Sequence, residues 1–311
     1  MPAKIILDCE PGHDDAVAML LAHGSPEIDL IGVTTVFGNQ TVEKTTRNAL
    51  SVAAIAGITG VPFARGAHRP LVREIETAGS IHGESGLEGP ELADATFELD
   101  PRHAVDFIID TVLAAEPNTI TLVPTAALTN LALAVRKEPR IAGLVKEVVL
   151  MGGGVHEGNW SATAEFNILI DPEAAHIVFT ESWPLTMVGL DATHKALATP
   201  AVVAEIAAIG TPVASFVGEL MDFFTASYKD EQGFDHPPVH DPCAVAYVID
   251  PSVLTVRKAP LTVELTGTST LGMTVADLRA PAPDDCTTQV ALGLDADKFW
   301  ALVIDAIKRI G

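Results

Sequence analysis

Basic residues are scarce in this chain: 19 Lys and Arg stand against 41 Asp and Glu, a formal charge of −22. A surface that acidic repels nucleic-acid phosphates and anionic membrane, so the expected partners are small molecules or protein. Cysteine is scarcer still. Cys9, Cys243 and Cys286 are an odd number without C-x-x-C spacing, which excludes a disulfide scaffold or a cysteine metal cluster and suits reduced thiols. No apolar run reaches spanning length, and only three strongly apolar residues follow Lys4 before acids begin, so a cytoplasmic protein without a signal peptide is expected. Phosphate-binding signatures are missing as well. Neither G-x-G-x-x-G nor G-x-x-x-x-G-K-[ST] occurs, and Gly83-Glu84-Ser85-Gly86 is one residue short of a nucleophile elbow. Dinucleotide, P-loop and serine-hydrolase chemistry are thereby set aside.

What remains is ample for a core: 311 residues, 48% of them hydrophobic. Apolar runs predict strands at residues 4–7, 28–36, 61–64, 119–124, 145–151 and 183–190. Between them, helices are expected at 16–22, 42–56, 104–115, 131–135, after Asp171-Pro172, over 199–228 with a break at Gly210-Thr211-Pro212, at 243–249 and at 297–310. A hairpin is expected over 261–272. Strands alternating with helices imply a parallel sheet. The expected fold is one α/β domain over residues 1–311, a mostly parallel sheet flanked by helices with a Rossmann-like core. Residues 67–101 form a polar, Gly/Pro-punctuated stretch, and a loop of that length is more often functional than idle.

The richest stretch is Asp8-Cys9-Glu10-Pro11-Gly12-His13-Asp14-Asp15, four carboxylates in eight residues between a strand and a helix. Asp8 and Glu10 share a strand face, Asp14 and Asp15 open the helix, and Pro11-Gly12 turns one toward the other. Acids brought that close need a cation, and an all-oxygen donor set favours Ca²⁺ or Mg²⁺ over zinc. The plainer alternative is a helix start that merely collects acids for capping and dipole reasons. Asp241, just before Pro242, is equally open to an N-cap reading, and His240 to that of a surface histidine.

That first stretch closely resembles the N-terminal signature of the nucleoside hydrolases, the calcium-dependent N-ribohydrolases. Phe37-Gly38-Asn39, Ile81-His82-Gly83, Leu122-Val123-Pro124-Thr125, Val149 through Gly154, Ala164-Glu165-Phe166-Asn167 and Val239-His240-Asp241-Pro242 look like further segments of that family, in its order and across essentially the whole chain. The resemblance, nearest to the inosine–uridine-preferring type, implies hydrolysis of the N-glycosidic bond of ribonucleosides by a homodimer or homotetramer. It implies Ca²⁺ held by Glu10, Asp15, the Thr125 carbonyl and Asp241. It implies that Asp14, Asn39, Asn159, Glu165 and Asn167 bind the sugar, that His82, Met151, Tyr228 and His240 complete the substrate site, and that Glu10, Asp14 and His240 are catalytic. Tyr228 and Gln232 would lie in the loop where the base is selected. One position departs from the pattern: the second acid of the signature is Asp in the family and Glu10 here. A calcium-dependent nucleoside- or ribose-binding protein, with chemistry impaired by Glu10, is the competing expectation.

Overall fold

Apolar runs without alternation become strands buried on both faces. The computed structural model describes residues 1–92 and 98–311, and its sheet is built on β1 (Ala3–Cys9), fully buried from Ile5 onward. The other strands are β2 (Ile28–Thr35), β3 (Phe63–Arg65), β4 (Ile120–Pro124), β5 (Glu147–Met151), β6 (Leu185–Val188), β7 (Leu254–Lys258), β8 (Leu261–Val263), β9 (Thr274–Ala276) and β10 (Thr288–Leu294). Eight of them form one sheet in the order β3-β2-β1-β4-β5-β6-β10-β7. All its neighbours are parallel except the β10–β7 pair at one edge. Ile5 and Leu7 feed one apolar layer and Ile6 the other, the period-two consequence of a strand.

The first layer takes the helices His13–Gly24, Val42–Ala56, Pro212–Gln232, Pro242–Ile249 and Ala296–Ile310. The second takes Ala104–Ala114, Thr129–Lys137 and Pro172–Phe179. Helix starts follow side-chain chemistry. Asp171 accepts from the Ala174 amide at 3.1 Å with Pro172 in the first turn, and Thr211 does the same for Ala214 at 3.3 Å. Each such cap is worth about 1 kcal/mol. The chain winds from β1 outward through β2 to β3, then returns to lay β4 on β1's other side. Between β1 and β4 lies the switch point where open α/β sheets hold ligands at the strands' carboxyl ends.

The sheet differs from the sequence expectation at its far edge, where β7 and β10 were not foreseen. Leu254–Lys258 ends in Arg257 and Lys258, charges that protect an exposed edge strand, and β10 shifts register between Ala291 and Gly293. Both features dilute an apolar pattern. β6 stops at Val188, and Leu190–Thr193 is a helical turn. The hairpin's second strand is β9, beyond the 267–272 stretch. The helix expected to end at Tyr228 runs on to Gln232, so Tyr228 and Gln232 stand on its last turns rather than in a loop. The long stretch 67–101 contains the turn Gly79–His82, while its residues 93–97 lie outside those described. Among the described residues no helix is long and apolar enough to cross a membrane.

Candidate metal and sugar site

Asp14 and Asp15 open the helix His13–Gly24 just past the end of β1, and Asp241 precedes the helix Pro242–Ile249. Packing of those two helices brings the three buried carboxylates together, with one oxygen from each within 4.8 Å of the others. Asp241 makes no cap bond, so its side chain serves the cluster and the N-cap alternative fails. Asp15 combines both roles that its position allowed: it accepts from the Gly12 and Glu10 amides at 3.2 Å each, and from Asn39 Nδ2 at 3.1 Å and Thr125 Oγ1 at 3.0 Å. These donors are neutral. Two ionised carboxylates at that spacing repel by at least about 3 kcal/mol at an effective dielectric near 20. Burial, followed by the charges of Asp14 and Asp15, accordingly pushes Asp241 well above the carboxylate range, and Asp14 and Asp15 rise chiefly through burial. Among the described residues no Lys or Arg lines the cavity. An all-oxygen, desolvated cluster lacking a protein cation fits a hard divalent ion such as Ca²⁺.

Glu10 is the remaining carboxylate expected as a ligand. It follows the end of β1 and lines the same cavity, but it is not one of the three clustered acids. Its carboxylate accepts a hydrogen bond from the Ala127 backbone and lies against Gly38, where a Cβ would come within 1.6 Å of Oε2. Oε2 is buried with no partner among the described residues. The charges of Asp15, Glu165 and Asp14 act on it, and its own acts on Asp241. Asp8 is engaged elsewhere: Thr34 Oγ1 at 2.6 Å and Asn130 Nδ2 at 2.8 Å donate to its Oδ1 inside the sheet. The acids that converge are therefore Asp14, Asp15 and Asp241, not the four of the N-terminal run.

The proposed sugar side is assembled from the ends of β2, β4 and β5. Asn39 donates to Asp15 and to the Glu10 carbonyl at 3.2 Å, and Asn167 donates to the carbonyls of Thr125 at 3.2 Å and Met151 at 3.3 Å. Both use their NH₂ groups, which leaves amide oxygens for ligand hydroxyls. Asn159 Oδ1 accepts from the Phe166 amide at 3.0 Å. Glu165 caps the turn Phe166–Leu169, taking the amides of Asn167 at 3.0 Å and Ile168 at 3.3 Å, with Gly153 at 2.9 Å. Burial still raises its pKa to about 7 against those bonds.

At the other end His240 is held on both nitrogens, by Thr193 Oγ1 at 2.7 Å and Tyr228 Oη at 2.9 Å. Burial, then the neighbouring His194, keeps it neutral well below the usual histidine range. With His82, Ile81 and Gln232 it walls the same cavity that Asp14 and Asp241 line. All the expected site residues line this cavity except Asp15, which is buried and bonded to the lining residues Asn39 and Thr125. Sequence reasoning missed Trp160 and Phe166, which meet edge-to-face at 4.6 Å in the cavity wall. Trp160 also donates to Glu76 at 2.5 Å, tying the segment after β5 to the long loop. Its one sequence signal was a large aromatic in an otherwise polar segment.

A family model described as inosine-uridine preferring nucleoside hydrolase matches residues 5–301. The chain is 62% identical to the inosine-uridine preferring nucleoside hydrolase of Crithidia fasciculata, covering 100% of this chain and 99% of that one. It is 59% identical to the protein of the same description from Leishmania major, with the same coverage. Among solved structures it is similar to a purine-preferring ribonucleoside hydrolase from Gardnerella vaginalis, with a TM-score of 0.93 at 34% identity over 99% of this chain and 98% of that one.

Proposed function

The chain belongs to the inosine-uridine preferring nucleoside hydrolase family and is a ribonucleoside hydrolase, and on that premise we propose how its site cleaves inosine- and uridine-type nucleosides. The observation that carries the proposal is the buried Asp14, Asp15 and Asp241 cluster ringed by amides and a further carboxylate. We assign the ion to calcium, held by Asp15, Asp241 and the Thr125 carbonyl, with Glu10 reaching in from outside the cluster. Calcium held there would offset the cluster's negative charges, anchor sugar hydroxyls and acidify a water.

Asp14, Asn39, Asn159, Glu165 and Asn167 hold the ribose, because carboxylates and amide oxygens are the natural acceptors for its hydroxyls. Cleavage makes the sugar oxocarbenium-like, and the same acids stabilise that positive charge more than they stabilise the neutral ground state. Glu10, desolvated and so a stronger base than a free carboxylate, takes the proton of the attacking water. His240 and Tyr228 manage the proton on the departing base, and Met151 and His82 complete the cavity wall. From the family resemblance we also assign a homodimer or homotetramer acting in the cytoplasm. A reducing-sugar assay of ribose release across a panel of ribonucleosides, with and without chelator, tests the reading. Release from inosine and uridine that chelator abolishes is expected; tight nucleoside binding without release would instead favour a binding protein.

A further inference from the structure

His13 begins the helix that carries Asp14 and Asp15, and it is wholly buried. Its ring lies nearly parallel to Phe223 and Phe224, with centroids 5.2 and 4.9 Å away. Nε2 meets the Glu88 carbonyl at 2.8 Å, and Nδ1 meets Nδ1 of His82 at 3.1 Å. A Cβ at Gly12 would lie 2.5 Å from that His82 nitrogen, so glycine there is what lets the second ring in.

Hydrogen-bond bookkeeping fixes both tautomers. A carbonyl oxygen only accepts, so His13 Nε2 carries the hydrogen; placing a lone pair there would oppose two acceptors at 2.8 Å. An imidazole packed against two phenyl rings without a carboxylate bonded to it is neutral, because an unpaired buried charge is too costly. His13 Nδ1 is therefore bare, and the hydrogen between the two rings belongs to His82 Nδ1. The His13 backbone amide also points its hydrogen at His82 Nδ1, at 3.4 Å; it is the longer of the two contacts and the one that this tautomer gives up.

We propose that His13 is a positioning residue that locks His82 as its Nδ1–H tautomer and thereby presents a bare Nε2 to the cavity that His82 lines. His82 then cannot donate a proton to the leaving base. It selects an O–H or N–H donor on the ligand, and a nucleoside supplies both kinds. This specificity role rests on the nucleoside-hydrolase reading of the cavity, whereas the tautomer itself does not.

Nitrogen NMR of the calcium-loaded protein, labelled with ¹⁵N-histidine and assigned against His82→Asn, reads the tautomer directly. A bare Nε2 on His82 is expected; a protonated Nε2 overturns the proposal in the wild type alone, whatever the variants do. In His13→Leu the backbone amide is the remaining partner of His82 Nδ1, and it can only donate, so His82 should switch to Nε2–H. KM for uridine or inosine should then rise about fivefold, the value of one net hydrogen bond, with kcat changing less. His13→Gln, whose amide oxygen can accept from Nδ1–H, should restore both signals. An unchanged His82 tautomer in His13→Leu would overturn the proposal. Absence of ribose release from the wild type would instead overturn the activity reading and leave the tautomer result standing.

Discussion

Replacing Glu10 by Asp should make this chain a better catalyst. The carboxylate of Glu10 accepts from the Ala127 amide and lies against Gly38, with one oxygen buried and without a partner among the described residues. Removing a methylene withdraws it by about 1.5 Å, one carbon–carbon bond. The Ala127 hydrogen bond is lost, at a cost of about 1 kcal/mol. Against that, the orphaned oxygen is freed and the carboxylate falls back toward Asp15 and the proposed ion. A general base in position is typically worth 10²–10⁴ in rate, and a displacement of about 1 Å can forfeit on the order of 100-fold. Glu10→Asp should therefore raise kcat at least about tenfold and tighten calcium binding by a similar factor. Ribose affinity should change less, since Asp14, Asn39, Glu165 and Asn167 are untouched. Ribose-release kinetics and calorimetric calcium titration of chelator-treated protein supply the two readouts. Equal kcat and equal calcium affinity in both proteins would show that the longer side chain already works from where it stands.

The Gly38 contact makes a companion prediction: Gly38→Ala forces a Cβ into the Glu10 carboxylate, so thermal melting should show it destabilised by about 1–3 kcal/mol and markedly less so in the Glu10→Asp background. If the sugar hydroxyls pair with Asp14 and Asn167, 2′-deoxyuridine should be a poorer substrate than uridine by on the order of 10²-fold or more; comparable kcat/KM would refute that pairing. Tyr228→Phe removes the hydroxyl on His240 Nε2 and should lower kcat about five- to tenfold, a loss that steady-state kinetics on inosine would reveal. For metal-free protein, burial holds the pKa of Glu165 at about 7 against an ordinary 4.5, and of Asp8 at about 7 against 3.8. The folded state thus keeps protons that the unfolded chain releases, and the stability they bring is full below about pH 4 and lost as pH rises toward 7, by roughly 3–4 kcal/mol per group. Its melting temperature should fall from pH 5 to 7.5 and recover with calcium; a rise over that interval would refute the linkage.

The central sheet was legible because its strands are unbroken apolar runs and because Gly, Pro and Asp mark the helix starts; Asp171-Pro172 and Gly210-Thr211-Pro212 punctuate the chain where the structure does. β7 and β10 were not, since an edge strand carrying Arg257 and Lys258 and a partner with a register shift lack that pattern. At the site, local sequence placed Asp14 and Asp15 together but left Asp241 divided between a cap and a ligand, an ambiguity only tertiary packing resolves. The convergence expected of Asp8 failed because Thr34 and Asn130, far along the chain, satisfy its carboxylate inside the sheet. Tyr228 was assigned to a loop because Lys229, Asp230 and Glu231 read as a polar break, although they occupy the solvent side of a continuing helix. The His13–His82 pairing had no sequence signal, being a contact between a helix start and a distant loop.

Titrating calcium into chelator-treated protein while ribose release from uridine is followed tests the central claim, that a buried acidic cluster must hold one ion for the glycosidic bond to break. Activity should rise from near zero and plateau at one calcium per chain, and Asp241→Asn should abolish both the stoichiometric binding and the turnover. Full ribose release in excess chelator, or none at saturating calcium, would contradict the account.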